Sequence, residues 1–284
     1  MDIPELPSLE EKVRREVVSI PGPDNNEIKL YISSPKERSS PTPCIVYLHG
    51  GGMAILSCQT ANYARWRDEL AVRGLVAVGV EFRNSAGVLG PHRFPAGLND
   101  CFTALQWVGD NRRALSITKV VLCGESGGGN LSIATALLAK QQNKLHYIDG
   151  VYAMCPCISG ACTPESLAAF PSMEKNNGLL VTCEGMTVMA SIYSDDARNP
   201  LAWPHYASVE QLRGLPPHVI TVNECDILCD EGVAYYHKLQ AAEVPSRCVT
   251  IHGTFHAADV LEPVAVPNLF AAAWDNVKCF AYSL

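Results

Sequence analysis

A chain of 284 residues that is 48% hydrophobic and 18% charged, with a formal net charge of −7, can bury a large core without disulfides or metal. The acidic balance argues against a nucleic-acid partner, which would require a basic surface. No apolar run reaches the roughly 18 residues of a membrane span, and the charged amino-terminal stretch has no signal core, so we expect a cytoplasmic protein.

Strand and helix patterns alternate along most of the chain. Two strand patterns, 15–20 and 27–32, flank the turn "PGPDNN" and are expected to pair as a hairpin. Apolar strand patterns and helical patterns then follow in turn, with strands at 44–49, 75–82, 119–123, 148–155, 218–223 and 247–251, and helices at 61–73, 96–114, 128–141, 231–242 and 266–281.

Continuous apolar strands separated by helices predict an α/β fold, with a mostly parallel sheet covered by helices on both faces. The sequence supplies about eight strands, and the initial hairpin makes one edge antiparallel. The alternation breaks over residues 156–216, which we interpret as a lid inserted above the sheet. Residues 1–284 are therefore predicted to form a single domain, with a lid contributed by about 1–12 and 156–216.

The stretch "GESGG" (124–128) lies between a predicted strand and a predicted helix. It fits the pattern G-x-S-x-G, whose glycines let strand and helix approach while the serine hydroxyl projects from strained backbone. A glycine-rich turn that merely contains a serine is the alternative, and the strand–turn–helix context counts against it. A P-loop is excluded because no Gly-Lys-Ser/Thr follows, and the dinucleotide pattern is absent. Ser126 is therefore the candidate nucleophile.

A serine nucleophile needs a base, and that base needs an orienting carboxylate. Ligands of an open parallel sheet gather at the carboxyl ends of its strands. Asp226 follows the strand at 218–223, and His256 follows the last strand. The order Ser126, Asp226, His256 is the Ser–acid–His order that accompanies G-x-S-x-G, so we expect these residues to form a catalytic triad.

The competing acids and imidazoles are less well placed. Asp230 is expected to begin a helix, and Glu224 comes one step too early after its strand. His252 is expected to pack or bond locally, and His237 lies in the middle of a predicted helix.

A second glycine-rich loop, "HGGGM" (49–53), directly follows a strand. Glycines let backbone N–H groups approach a carbonyl oxygen that becomes negative on attack, and one such donor lowers a barrier by ~3 to 4 kcal/mol. A merely flexible loop is the alternative, but this motif upstream of G-x-S-x-G is more specific than either motif alone. We expect donors from Gly51, Gly52 and Gly127, and a structural role for His49.

The 12 cysteines are interpreted as reduced, mostly buried side chains of an intracellular protein. A zinc site is the alternative. Cys155 and Cys157 flank a proline, and Cys225 and Cys229 are four apart, so neither pair has C-x-x-C spacing. We therefore expect no metal and no organic cofactor.

Together, "HGGGM", "GESGGGN", "NECDILCDEG" and "GTFH" resemble the hormone-sensitive-lipase-like branch (bacterial family IV) of the α/β-hydrolases, from about residue 13 to the end. The chain before "HGGGM" is shorter than in many relatives, so we expect an open acyl site. The resemblance implies the α/β-hydrolase fold, a nucleophile, acid and base at Ser126, Asp226 and His256, and an oxyanion hole at Gly51, Gly52 and Gly127.

The resulting hypothesis is a serine carboxylesterase that acts through an acyl-enzyme on short-chain or small carboxylic esters and, by resemblance, on lactones. The expected partner is a small-molecule ester or lactone, and the expected assembly is a monomer or homodimer. A small-molecule receptor on the same scaffold, an acyltransferase and a peptidase are the alternatives. Five lid side chains are expected either to wall an apolar pocket or to fill core: Phe170, Met173, Met186, Trp203 and Tyr206.

Overall fold

Eight strands form one sheet in the computed structural model, which describes residues 7–284. In the order β1-β2-β4-β3-β5-β6-β7-β8, β1 and β2 are antiparallel, β2 and β4 are antiparallel, and every later pair is parallel. The strands are β1 (Val13–Pro21), β2 (Glu27–Pro35), β3 (Thr42–Leu48), β4 (Val76–Glu81), β5 (Ile117–Glu125), β6 (Gly150–Met154), β7 (His218–Cys225) and β8 (Ser246–Phe255).

The helices lie between and after the strands. They are α1 (Ala61–Val72), α2 (Ala96–Asp110), α3 (Arg112–Leu115), α4 (Gly127–Gln141), α5 (Pro164–Ala169), α6 (Ser172–Lys175), α7 (Cys183–Tyr193), α8 (Val209–Leu212), α9 (Cys229–Ala241), α10 (Ala258–Leu261) and α11 (Pro267–Ser283). The prediction of one helix over 96–114 is wrong, because α2 ends where the backbone and side-chain nitrogens of Asn111 both bond the Trp107 carbonyl.

Alternate side chains of the central strands enter two separate hydrophobic layers, which is the reason these strands are apolar throughout. In β3, Val46 belongs to the layer that contains residues of α2, α4 and α9. Its neighbours Ile45 and Tyr47 belong to the opposite layer, with residues of α1 and α11. Helices therefore cover both faces, and the predicted α/β sheet is confirmed.

A long segment between β6 and β7, residues 155–217, contains α5 to α8 and is called the insertion below. It corresponds to the predicted lid segment 156–216. The other predicted lid segment, 1–12, falls partly on residues 1–6, which lie outside the described residues. Residues 7–12 lead into Val13, which pairs with Pro35 at the edge where the parallel strands begin. They therefore do not cover the carboxyl ends of the strands.

No helix within residues 7–284 combines the length and the apolar character that crossing a membrane requires.

Candidate active site

Ser126 lies in a tight turn between β5 and α4. Its φ of 55° and ψ of −119° are unfavourable for a residue with a Cβ, and its N–H donates to the Met154 carbonyl at 2.9 Å. A Cβ on Gly124 would lie 2.3 Å from the Leu48 oxygen, and one on Gly128 would lie 1.9 Å from it. The two motif glycines are thus required because β3 and α4 approach closely, as the sequence predicts.

Asp226 and His256 are hydrogen-bonded at the carboxyl ends of β7 and β8. His256 Nδ1 lies 2.7 Å from Asp226 Oδ2, and the two side chains are 8% and 1% exposed. The other Asp226 oxygen accepts the Leu228 N–H at 3.1 Å, which fixes the carboxylate. Ser126 lies at the same edge of the sheet. Its N–H donates to the Met154 carbonyl, and Cys155, the residue after Met154, contacts His256.

The charge state of His256 depends on its neighbours. Burial opposes the imidazolium, but the Cys155 sulfur and the Asp226 carboxylate outweigh burial and hold the pKa of His256 well above its ordinary 6.5. A buried imidazole with a carboxylate on Nδ1 is oriented with Nε2 directed away from that carboxylate, which is the arrangement of a general base.

The loop after β3 brings its glycines next to the nucleophile turn. Gly51 and Gly52 have φ of 95° and 60°, and a Cβ on Gly127 would lie 2.8 Å from the Gly52 nitrogen. Within residues 7–284, the N–H groups of these three glycines make no hydrogen bond to a backbone carbonyl or to a side chain. Three unpaired donors beside a serine hydroxyl can receive a developing oxyanion.

Glu125, the variable residue inside the G-x-S-x-G motif, supports that loop. Its Oε1 accepts the Gly50 N–H at 2.6 Å, and its Oε2 accepts the Tyr47 hydroxyl at 2.6 Å. Burial raises the pKa of Glu125 to about 7. Sequence reasoning missed this residue; the signal available was a carboxylate at the end of an otherwise apolar strand.

The insertion is bonded to the loop that contains Asp226. Asn176 Nδ2 donates to the Glu224 and Asp226 carbonyls at 3.0 Å each. Ser172 and Asp230 exchange two bonds, from the Ser172 N–H to the carboxylate at 2.7 Å and from the Asp230 N–H to the hydroxyl at 3.1 Å. Neither contact was visible in the sequence, because these partners are about 50 or more residues apart.

Glu231, in the first turn of α9, also bonds the insertion. Its carboxylate accepts the Ile158 N–H at 2.6 Å and the Ser159 hydroxyl, and it is fully buried. Burial raises the pKa of Glu231 to about 7. The start of the insertion is therefore held against the same helix whose amino end follows Asp226.

The residues that sequence reasoning set aside make local contacts. Buried His49 stacks on Phe82 with ring centroids 4.3 Å apart, and burial lowers the pKa of His49 to about 4. His252 Nδ1 lies 3.3 Å from Glu224, and both side chains are largely exposed. His237 lies within α9 and contacts Gln240.

Of the five side chains proposed to wall a pocket or fill core, four are buried in the hydrophobic core. Tyr206 is half-buried and packs against the same layer. Met189 of α7 is the insertion residue that reaches the glycine loop, because a Cβ on Gly52 would lie 2.5 Å from its Sδ.

Cys155 directly follows β6, which lies between the strands that precede Ser126 and Asp226. Its backbone φ is 33°, and its side chain is 1% exposed. Sequence reasoning considered this cysteine only for its spacing to Cys157 and did not place it beside His256.

The chain matches the family model described as the α/β hydrolase fold over residues 45–259. The structure of brefeldin A esterase, described as a bacterial homologue of human hormone-sensitive lipase, superimposes with a TM-score of 0.94 at 41% identity, covering 98% of this chain and 78% of that one. This chain belongs to the α/β-hydrolase family.

Curated relatives include an arylesterase of Saccharolobus solfataricus, 29% identical over 240 residues, or 82% of this chain and 74% of the relative. An ethyl acetate hydrolase of Pseudomonas putida is 26% identical over 235 residues, or 81% and 70%. The predicted resemblance, the predicted fold and the prediction of a carboxylic ester hydrolase are thereby confirmed.

Proposed function

We propose that this α/β-hydrolase is a serine carboxylesterase in which Ser126 is the nucleophile, His256 the general base and Asp226 the group that orients His256. The observation that carries the proposal is the buried 2.7 Å hydrogen bond between Asp226 Oδ2 and His256 Nδ1, at the sheet edge where Ser126 is held with a positive φ. The proposal requires His256 Nε2 to face the Ser126 hydroxyl in the reacting complex.

In the proposed reaction, Ser126 Oγ forms a bond to the ester carbonyl carbon while its proton passes to His256 Nε2. The carbonyl oxygen gains the electron pair of the C=O π bond and is stabilised by the N–H groups of Gly51, Gly52 and Gly127. The tetrahedral species expels the alcohol, which takes the proton from His256 and leaves an acyl-enzyme. Water then repeats the sequence in place of Ser126, and the carboxylic acid departs.

Asp226 supports this role of His256 without itself accepting a proton. Its carboxylate stabilises the imidazolium that forms when Ser126 is deprotonated, and the raised pKa of His256 reflects the Cys155 sulfur together with this attraction to Asp226. No metal or organic cofactor takes part in the proposed steps, and that hydrolysis needs neither stays a prediction.

The proposed substrates are esters with a small acyl group. Met189 packs on Gly52, so the insertion occupies space directly beside a proposed oxyanion donor. Leu56 contributes a second apolar side chain, since a Cβ on Gly51 would lie 3.1 Å from its Cγ. The relative named ethyl acetate hydrolase favours a short acyl group, and the likeness to brefeldin A esterase favours lactones as additional substrates.

The insertion is proposed to act as the lid of this site, since α7 reaches the glycine loop and Asn176 bonds the loop of Asp226. A single domain, a cytoplasmic location and a monomeric or homodimeric state remain predictions.

Replacing Ser126 by Ala tests the proposal directly. The variant is expected to lose hydrolysis of p-nitrophenyl acetate by on the order of 10⁶ in kcat, as removal of a serine nucleophile does elsewhere. The control is Ser132→Ala, one turn into α4, whose hydroxyl bonds only the Gly128 carbonyl at 2.8 Å. A folded Ser126→Ala protein with unchanged turnover would contradict the assignment.

A further inference from the structure

One group of potential metal ligands stands out among residues 7–284. One ligand atom each from Cys155, Asp226 and His256 lies within 4.8 Å of the other two, and all three side chains are buried. Asp226 and His256 are used in the proposed reaction, whereas Cys155 is not. The residue after β6 therefore adds a thiol to a carboxylate–imidazole pair that needs none for ester hydrolysis.

The three ligand types together favour one class of ion. Thiolate sulfur, imidazole nitrogen and carboxylate oxygen are the ligands of Zn²⁺ in proteins, and three protein ligands leave a fourth position for water. Hard cations such as Mg²⁺ and Ca²⁺ prefer oxygen throughout. We propose that Cys155, Asp226 and His256 form a zinc-binding site whose occupation switches the hydrolase off; the inhibitory effect, though not the binding, rests on the proposed function.

The distances between the three ligand atoms are close to those in a tetrahedral zinc site. With zinc–ligand distances of about 2.0–2.3 Å in a tetrahedron, ligand atoms lie about 3.4–3.6 Å apart. Asp226 Oδ2 and His256 Nδ1, now 2.7 Å apart, would separate by about 0.7 Å. The Cys155 sulfur lies within 4.8 Å of one ligand atom of each of the other two residues, and zinc binding would bring it closer to such an atom by at most about 1.4 Å. The proposal requires side-chain rotation to supply shifts of this size within the buried cluster.

Inhibition follows from the nitrogen that the ion would occupy. Asp226 contacts His256 through Nδ1, so an ion shared with Asp226 binds Nδ1. A neutral imidazole with a metal on Nδ1 carries its proton on Nε2. That is the atom that has to accept the proton of Ser126, so the zinc-bound enzyme lacks a general base. The activity of the metal-free enzyme is expected to be unaffected by chelators.

The test begins with metal-free wild-type protein titrated with ZnCl₂. Zinc is expected to bind one ion per chain and abolish p-nitrophenyl acetate hydrolysis, and EDTA is expected to restore the rate. CoCl₂ is expected to produce a thiolate-to-cobalt charge-transfer band in the near ultraviolet. This band reports the site without reference to activity, and Ser126→Ala is expected to retain it.

Matched variants identify the ligand. Cys155→Ser and Cys155→Ala are expected to lose the cobalt band and to raise the half-inhibitory zinc concentration at least tenfold, each measured against its own metal-free rate. The control is Cys279→Ser, which removes an exposed thiol. His256→Gln removes a different ligand and is also expected to lose the band, which keeps the test decisive if the Cys155 variants do not fold.

Equal zinc sensitivity in Cys155→Ser and wild type would overturn the proposal, as would a cobalt band that survives in Cys155→Ser or His256→Gln. Stoichiometric zinc binding through Cys155 with full retention of activity would overturn the inhibitory role. A wild-type protein that shows the band but hydrolyses no ester would contradict the proposed function and leave the metal site supported.

Discussion

Asp226 and Asp230 lie four residues apart and make different contacts, which makes them a matched pair for mutation. Asp226→Asn removes the carboxylate from His256 Nδ1 and is expected to lower kcat by about 10⁴, as in a comparable triad. Asp230→Asn alters a bond to the Ser172 N–H and is expected to cost about 1 kcal/mol of stability with little change in kcat. Steady-state kinetics and urea unfolding of both variants check this, and an inactive Asp230→Asn would show that the wrong carboxylate was chosen.

The raised pKa of His256 predicts the direction of the pH profile. His256 accepts a proton only when it is neutral, so activity is lost as the pH falls through its pKa. Because Asp226 and Cys155 hold this pKa well above 6.5, the midpoint of kcat/KM against pH is expected above 6.5, higher than the near-neutral value that an unperturbed histidine suggests.

Two variants test whether the Asp226 carboxylate contributes to the raised pKa of His256. Asp226→Asn removes the attractive charge and is expected to move the midpoint to lower pH in its residual activity. His252→Asn changes an exposed histidine outside the site and is expected to leave the midpoint in place. A wild-type midpoint below 6.5 would show that burial outweighs Cys155 and Asp226 in setting the pKa of His256.

The positions of Ser126, Asp226 and His256 could be predicted from the sequence because each follows a strand, and parallel strands end at one edge of a sheet. Glu125, Asn176 and Cys155 could not. Each of them contacts a partner that is distant in the sequence. Glu125 bonds Gly50, 75 residues away, and Asn176 bonds Glu224, 48 residues away. These contacts are set by the strand order and by the path of the insertion. Spacing along the chain suggested pairing Cys155 with Cys157, whereas the sheet places it beside His256.

At the level of elements, α7 places the Met189 side chain against the glycine loop. Met189→Ala removes the side chain that packs on Gly52 and is expected to extend the range of acyl groups that the enzyme accepts. Each newly buried methylene contributes up to ~0.8 kcal/mol, or about fourfold in kcat/KM. We expect the wild type to peak at short acyl groups and Met189→Ala to improve on hexanoate and octanoate by roughly tenfold relative to acetate.

The measurement is kcat/KM for p-nitrophenyl esters from acetate to octanoate. The control is Val188→Ala, the adjacent residue of α7, which is 56% exposed and is expected to keep the wild-type profile. If the wild type already improves steadily to octanoate and beyond, the acyl site is deep, and Met189 does not limit it.

For the whole molecule, buried carboxyls such as Glu231 and Glu125 make stability depend on pH. Burial raises the pKa of Glu231 from 4.5 to about 7, so the folded chain binds a proton that the unfolded chain has released in this range. The free energy of unfolding therefore falls as the pH rises from about 4.5 to 7, by on the order of 3 kcal/mol for such a group. Burial also raises the pKa of Glu125 to about 7, so its contribution to stability changes with pH in the same direction.

Glu231→Gln is expected to remove one of these contributions, so its free energy of unfolding by urea should change less between pH 5 and pH 8 than that of the wild type. The comparison concerns the change with pH, since the substitution also alters the bonds to Ile158 and Ser159. Glu165→Gln, at an exposed ion pair, is the control. Parallel curves for wild type and Glu231→Gln would show that Glu231 stays charged in the folded chain.

The hydrogen bonds of Asn176 and Ser172 to the loop of Asp226 limit how freely the insertion can be exchanged between related enzymes. Exchanging lids between related enzymes is a natural way to transplant substrate preference, and it assumes that the lid is a separable module. Here the donor insertion would also have to supply an amide for the Glu224 and Asp226 carbonyls and a hydroxyl for Asp230. A chimera that keeps residues 218–284 of this chain but lacks those two groups would gain a new insertion and lose the hydrogen bonds that support the loop of Asp226, the proposed orienting acid.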